Sequence, residues 1–213
     1  MFGEKQMGFY KNRVLPHLVN LAMRNGRLAP YRERVISAAE GHVLEIGVGS
    51  GLNLPLYPAR VREIVGLEPA PRLLAMSRHL ASGLSSSVEF IEGSAEAIPL
   101  KDRSIDTVVT TWTLCTIPAV MEALLEMRRV LQPVGQLLFV EHGLAPDDNV
   151  RKWQHRLTPA WKRIGGGCHL NRPITSIIES ADFTITRLKT GYMKGPKPMS
   201  FFYEGRATPN EKD

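Results

Sequence analysis

Five short apolar runs, at residues 42–48, 63–68, 88–92, 105–111 and 136–141, alternate with helix-patterned stretches through the middle of the chain. They are rich in Val, Ile and Leu and too continuous for half-exposed antiparallel strands, so they read as buried parallel strands. Between them, 71–82 and 119–131 read as helices, the second placing Val120, Leu124, Met127 and Leu131 on one face. Strand–helix alternation of this kind predicts a doubly wound α/β sheet. Two later runs, 183–189 and 200–206, have no clear helix between them and predict an antiparallel terminal pair.

At 213 residues, 43% hydrophobic and 23% charged, the chain can bury the core of one domain of ordinary size. No stretch approaches the ~18 uncharged apolar residues of a membrane-spanning helix. The opening MFGEKQMGFYKNR has neither the apolar core nor the small-residue cleavage site of a secretory signal. Two cysteines, Cys115 and Cys168, cannot frame a disulfide scaffold and suit a reducing compartment, so a cytoplasmic location is expected.

The net charge of +6 is unevenly spread. Residues 1–34 carry seven Lys/Arg against two acids and 151–213 carry twelve against five, around a centre with eight against fourteen. Basic ends serve solubility or meet an anionic partner. No nucleic-acid partner is expected, because no RNA-binding module and little aromatic–basic interleaving are visible.

The N-terminal stretch puts Tyr10, Val14, Leu18 and Leu21 on one helix face, with Lys11, Arg13 and Arg24 elsewhere. It reads either as a helix packed on the domain or as an interfacial, substrate-covering helix with peripheral membrane contact. Residues 1–40 are taken as a helical cap and 41–213 as the domain. A further helix at 147–164 aligns Val150, Trp153, Leu157, Trp161 and Ile164. Asp147 or Asp148 supplies its N-cap, and Pro159 should kink or break it near its end.

The chemistry concentrates in Val43-Leu-Glu-Ile-Gly-Val-Gly-Ser-Gly51, at the end of the first buried strand. Gly47, Gly49 and Gly51 allow a sharp turn and a close backbone approach to a ligand. A dinucleotide fingerprint would need glycine at 52, where Leu52 stands, and no Gly-Lys-Ser/Thr follows as in a phosphate-binding loop. Glu45, two residues before the first glycine, suits a ligand with a cationic ammonium and would repel a pyrophosphate. Glu68, at the second strand's end, can accept hydrogen bonds from both ribose hydroxyls. After the third strand, Gly93-Ser94-Ala95-Glu96 forms a turn able to meet a purine.

With these residues in place the sequence resembles the class I S-adenosylmethionine-dependent methyltransferases. VLEIGVGSG is similar to their first motif, Glu68 stands where their ribose-binding acid does, and GSAEAIPLKDRSIDTVVT is similar to the adenine loop leading into strand four. RRVLQPVGQLLFVEH resembles the following helix and strand, although Val134 replaces a glycine usual in that turn. The resemblance implies a Rossmann-like, seven-stranded, mostly parallel sheet with an antiparallel last strand and helices on both faces. It implies S-adenosyl-L-methionine as cofactor, held by Glu45, Gly47, Gly49, Gly51, Glu68, Ser94, Ala95 and Thr111, with S-adenosyl-L-homocysteine as product.

Thr111-Trp-Thr-Leu-Cys115, Glu141-His142, Trp153-Gln154, Pro159-Ala-Trp161 and Gly167-Cys168-His169-Leu170 further resemble the small alkyl-thiol S-methyltransferases. That implies a small-molecule acceptor, a thiol or hydrosulfide, with Trp153, Cys168 and His169 on the substrate side. Phospholipid or amine N-methylation and quinone C-methylation are alternatives, as is a cofactor-binding pseudoenzyme. A thiol reacts as thiolate, so His142, at the end of the fifth strand, is the expected base or thiolate stabiliser. Cys115 is expected to be a small apolar neighbour of the cofactor. No metal is expected: Cys168 and His169 alone lack the spacing of a metal site, and no third ligand shows in the sequence.

Overall fold

The computed structural model describes residues 10–84 and 87–210. The first nine residues of the expected cap therefore lie outside the described residues. A π-helical turn, Tyr10–Val14, leads into α1 (Leu15–Met23) and α2 (Ala29–Ile36). There follow β1 (Gly41–Ile46), β2 (Val61–Glu68), α3 (Pro71–Ala81), β3 (Val88–Glu92) and β4 (Ile105–Thr111). Next come α4 (Val120–Val130), β5 (Leu131–His142), α5 (Asp148–Ile164) and α6 (Ile174–Ser180). The chain closes with β6 (Phe183–Tyr192), the four-residue α7 (Lys197–Ser200) and β7 (Phe201–Pro209).

Seven strands form one sheet in the order β3-β2-β1-β4-β5-β7-β6. β1 pairs in parallel with both β2 and β4, which makes the gap beyond its carboxyl end the topological switch point. β7 runs antiparallel to both β5 and β6, as the terminal runs predict. The expected strands are all present, with β5 and β6 longer than their apolar runs.

Successive residues of β1 feed opposite layers, as the period of two demands. Leu44 and Ile46 pack with Ala123, Leu124 and Met127 of α4 and Ile174 and Ile178 of α6. Val43 packs with Val35 and Ile36 of α2 and Leu74 of α3. Glu45 shares Val43's side and so meets α2.

Three local expectations need correction. Pro159 does not break α5, which continues to Ile164. Proline removes one N–H, and here the carbonyl that loses its partner belongs to His155, on the exposed side of the helix. Asp147 occupies the N-cap position of α5 without a side-chain cap, its carboxylate accepting the Tyr192 hydroxyl instead. The apolar face of the N-terminal helix is not packed on the domain: Leu18 is 48% and Leu21 71% exposed. Val134 lies within β5 with its side chain exposed to solvent.

Candidate active site

The carboxyl ends of β1, β2 and β4 open into a cavity of ≈ 420 Å³. Its wall includes the glycine-rich turn, Glu68, the Gly93–Ala95 turn and the loop from Thr111 to Thr113. Leu15, Pro16, Val19 and Met23 of α1 complete its lining.

Within the turn, Gly47 and Gly49 hold φ of +67° and +58°. A Cβ on Gly47 would stand 2.6 Å from the Thr113 methyl, so that turn is packed shut on the β4 loop. A Cβ on Gly49 would meet only a carbonyl oxygen at 3.8 Å. Gly49 therefore leaves the cradle open at the place where a ligand approaches the backbone. Gly51 lies behind the wall against Ser77 and lines nothing.

Glu68 is not a solvent-facing strand tip, being nearly buried. Its two oxygens accept the backbone N–H of Gly49 and of Ala70, each at 3.0 Å. Burial raises its pKa while those two N–H groups pull it down. A carboxylate has about four lone-pair sites, so two remain for a diol in the cavity.

Glu45 forms the floor. Asn53 Nδ2 donates to Oε1 at 2.7 Å and the Tyr57 hydroxyl to Oε2 at 2.8 Å. Asn53 also donates to Thr111 Oγ1 and accepts from the Arg32 guanidinium at 2.9 Å. Burial pushes the Glu45 carboxyl up to about 7, against the pull of Tyr57, Asn53 and Arg32. Above this network Trp112 holds φ +53°, uncommon for a bulky residue, with Arg32 4.8 Å over its ring. Ser94 and Ala95 line the cavity as expected, the Ser94 hydroxyl turned to the Glu96 carboxylate.

The residues expected on the acceptor side are placed differently. His142, Cys168 and His169 are absent from the cavity wall, although their chain neighbours at Gly165 and Gly166 belong to it. His142 Nε2 lies 3.2 Å from Cys168 Sγ, both side chains buried. Cys115, Cys168 and Leu170 form a small core of their own, with Leu157, Trp161 and Met199 against it. Contact with Cys115, opposed by burial, and the His142 imidazole hold the Cys168 thiol well below its usual range. Burial pushes His142 down, but the Cys168 sulfur outweighs it and the net shift is upward. His169 instead ties the two loops, its backbone N–H donating to the Cys115 carbonyl at 2.8 Å. Trp153 does not reach the cavity and is 53% exposed on the outer face of α5.

Sequence reasoning named Glu45, Glu68, Gly47 and Gly49 but passed over Asn53, Tyr57, Arg32 and Trp112. Asn53 and Tyr57 follow the glycine turn too irregularly to show a period. Arg32 comes from a helix whose approach to β1 no local pattern encodes.

The donor set tests well for S-adenosylmethionine: an open glycine cradle, a carboxylate with free lone pairs for a ribose, and a buried acid for a cationic group. A family model described as "Methyltransferase domain" matches residues 44–139. Thiol S-methyltransferase TMT1B of Rattus norvegicus is 36% identical over 156 residues, 69% of this chain and 62% of that protein. The Homo sapiens protein of the same name is 33% identical over 181 residues, 80% of this chain and 70% of that one. A phosphatidylethanolamine N-methyltransferase of Cereibacter sphaeroides is 34% identical over 109 residues, 50% of this chain and 53% of its own. Among solved structures, a SAM-dependent methyltransferase of Thermotoga maritima superposes with a TM-score of 0.68 at 20% identity, covering 95% of this chain and 99% of that one. Strand order, cradle, carboxylates and kinship agree: the chain belongs to the class I S-adenosylmethionine-dependent methyltransferases.

Proposed function

We propose that the protein transfers a methyl group from S-adenosylmethionine to a small thiol or hydrosulfide. The observation that carries the acceptor is the reach of the likeness. The relatives named as thiol S-methyltransferases match over as much as 90% of the chain, whereas the phospholipid N-methyltransferase matches half of it. A match of that length takes in β5, α5 and the loop after it, the elements on the acceptor side.

When bound, the cofactor supplies an electrophilic methyl on a sulfonium sulfur. The chain's own residues do the rest. Gly49 admits the ligand to the backbone, Glu68 anchors a ribose, and Glu45 offers negative charge at the floor. The α1 residues Leu15, Val19 and Met23 line the cavity with apolar surface. Holding sulfur and methyl in line supplies up to ~7–11 kcal/mol of the barrier. A free thiol of pKa about 8.5 is only a few per cent ionised at neutral pH, so the site gains by favouring the thiolate. His142 lies at the strand tip expected of it, but its Nε2 is engaged by Cys168, and service as a base on the acceptor requires that contact to open.

The test is an acceptor panel with the purified chain, reading S-adenosylhomocysteine formed with hydrosulfide, short alkyl thiols, phospholipid amines and quinols. Turnover with the sulfur nucleophiles is expected. Turnover with an amine or quinol and none with any thiol would refute the acceptor and leave the cofactor site intact.

A further inference from the structure

The fold gathers His142 from the end of β5 and Cys115 and Cys168 from two separate loops, and one ligand atom of each lies within 4.8 Å of the others. We infer that these three side chains form a binding site for a thiophilic divalent metal, Zn²⁺ above all, whose fourth position takes the sulfur of the acceptor. The second half of this inference rests on the thiol reading above. The first half stands without it.

One edge of the triangle is close to what the ion requires, and no edge exceeds 4.8 Å. Zinc bonds of about 2.3 Å to sulfur and about 2.0–2.1 Å to nitrogen, set tetrahedrally, separate two sulfurs by about 3.8 Å and a sulfur from a nitrogen by about 3.6 Å. His142 Nε2 and Cys168 Sγ stand at 3.2 Å, so an ion enters with shifts of a few tenths of an ångström at that edge. The loops that carry the two cysteines are already fastened together. His169 donates its N–H to the Cys115 carbonyl at 2.8 Å, and Arg172 donates to the Leu114 carbonyl. All three ligands are buried, Cys115 at 2% exposure.

Charge also balances. Two thiolates and a neutral imidazole around a dication make an uncharged centre, which a buried site tolerates far better than a lone ion. The sulfurs bind as thiolates and the imidazole as the neutral ring, so any proton these three groups carry passes to solvent as the ion enters.

Three protein ligands leave one position open, the mark of a zinc site that exchanges a ligand. Trp112, Thr113 and Thr116 beside Cys115, and Gly165 and Gly166 before Cys168, line the cavity, so the open position has the acceptor side of the cavity as its neighbour. A thiol that coordinates zinc does so deprotonated. The thiol S–H bond breaks with its proton passing to solvent and the Zn–S bond forms; a remaining sulfur lone pair then bonds the methyl as the sulfonium C–S bond breaks to give S-adenosylhomocysteine, and the neutral thioether leaves the metal.

The test uses the full chain, stripped with a chelator and titrated with Co²⁺. One equivalent is expected to give intense thiolate-to-cobalt charge-transfer absorption, bleached by Zn²⁺ and lost in both Cys115→Ser and Cys168→Ser. If the serine variants unfold, the metal site is read in the wild type, where Zn²⁺ should raise the melting temperature by several degrees and chelator should reverse it. No charge-transfer band with the wild type, or a band that survives both serine variants, overturns the site. Hydrosulfide or methanethiol should shift the band. A band indifferent to thiols that are nevertheless methylated overturns the acceptor ligand while sparing the metal and the thiol reading. A band that shifts with thiols in an enzyme that methylates only amines or quinols supports the metal and refutes the proposed function.

Discussion

Glu45 should set the pH dependence of stability. The carboxyl is buried beneath the cavity, and its pKa lies near 7 rather than the ordinary 4.5 because burial opposes its charge. A raised folded pKa means that the folded state prefers the protonated form. Its contribution is therefore whole below about pH 4.5 and is lost as pH rises through about 7. A shift of that size is worth about 3 kcal/mol, an order-of-magnitude figure. Glu45→Gln removes the titration while keeping an oxygen to accept from Asn53 or Tyr57. Near pH 5 the variant should match the wild type, whose Glu45 is then largely protonated. Toward pH 8 it should become the more stable of the two. For a chain of this length 1 kcal/mol moves the melting temperature by about 2–4 °C, so the difference should grow by roughly 6–12 °C across that range. Thermal unfolding of both proteins at half-unit pH steps reads it directly. Because other buried acids such as Glu141 titrate in both proteins, only the difference between the curves counts. A difference that stays flat with pH would refute the argument, since it would mean that Glu45 is ionised throughout in the fold.

The donor site yields two further tests. Gly49→Val places a side chain at a left-handed position in the one open part of the cradle, and calorimetry should show S-adenosylmethionine binding lost while unfolding remains cooperative. Glu68→Ala should weaken the cofactor at least tenfold, and it should also lower the melting temperature by several degrees, because it strips the acceptors from Gly49 and Ala70, each charge-assisted bond being worth about 1.5–3 kcal/mol. Native affinity in that variant would mean that another acid holds the ribose. The outward face of α1 predicts a membrane-surface contact: the chain should co-sediment with anionic liposomes at low salt and less so as salt rises, and Leu18→Asp with Leu21→Asp should abolish it. Sedimentation that ignores both changes would leave these leucines without that role.

The sheet was readable because its strands are buried on both faces and announce themselves as unbroken apolar runs. Val43, Leu44 and Ile46 serve two cores at once, and no alternation could have hidden them. Glu45 and Glu68 were readable for a related reason: β1 and β2 end in the glycine turn and at Glu68, so position along the strand fixes position in the cleft. What position along the chain does not encode is approach from elsewhere. Arg32 reaches Asn53 from α2, and no spacing in the sequence relates residue 32 to residue 53. The outward leucines of α1 failed for another reason. Its period correctly gave an amphipathic helix, but two of its faces are apolar, and a period cannot say which one turns to the cavity.

The same logic accounts for the cysteines. Cys168 beside His169 looked like the pair to weigh, yet adjacent residues on an extended segment point apart, and His169 turns its ring to the Cys115 carbonyl. The partners of Cys168 come from the tips of β4 and β5, neighbouring parallel strands that end at the same level. Strand pairing, not spacing, brings Cys115 and His142 together, and the turn at Gly165–Gly167 lowers Cys168 onto them. The neighbouring ends of β4 and β5 thus bring together Trp112 and Thr113, which line the cavity, and Cys115 and His142, two of the three ligands proposed to lie behind it.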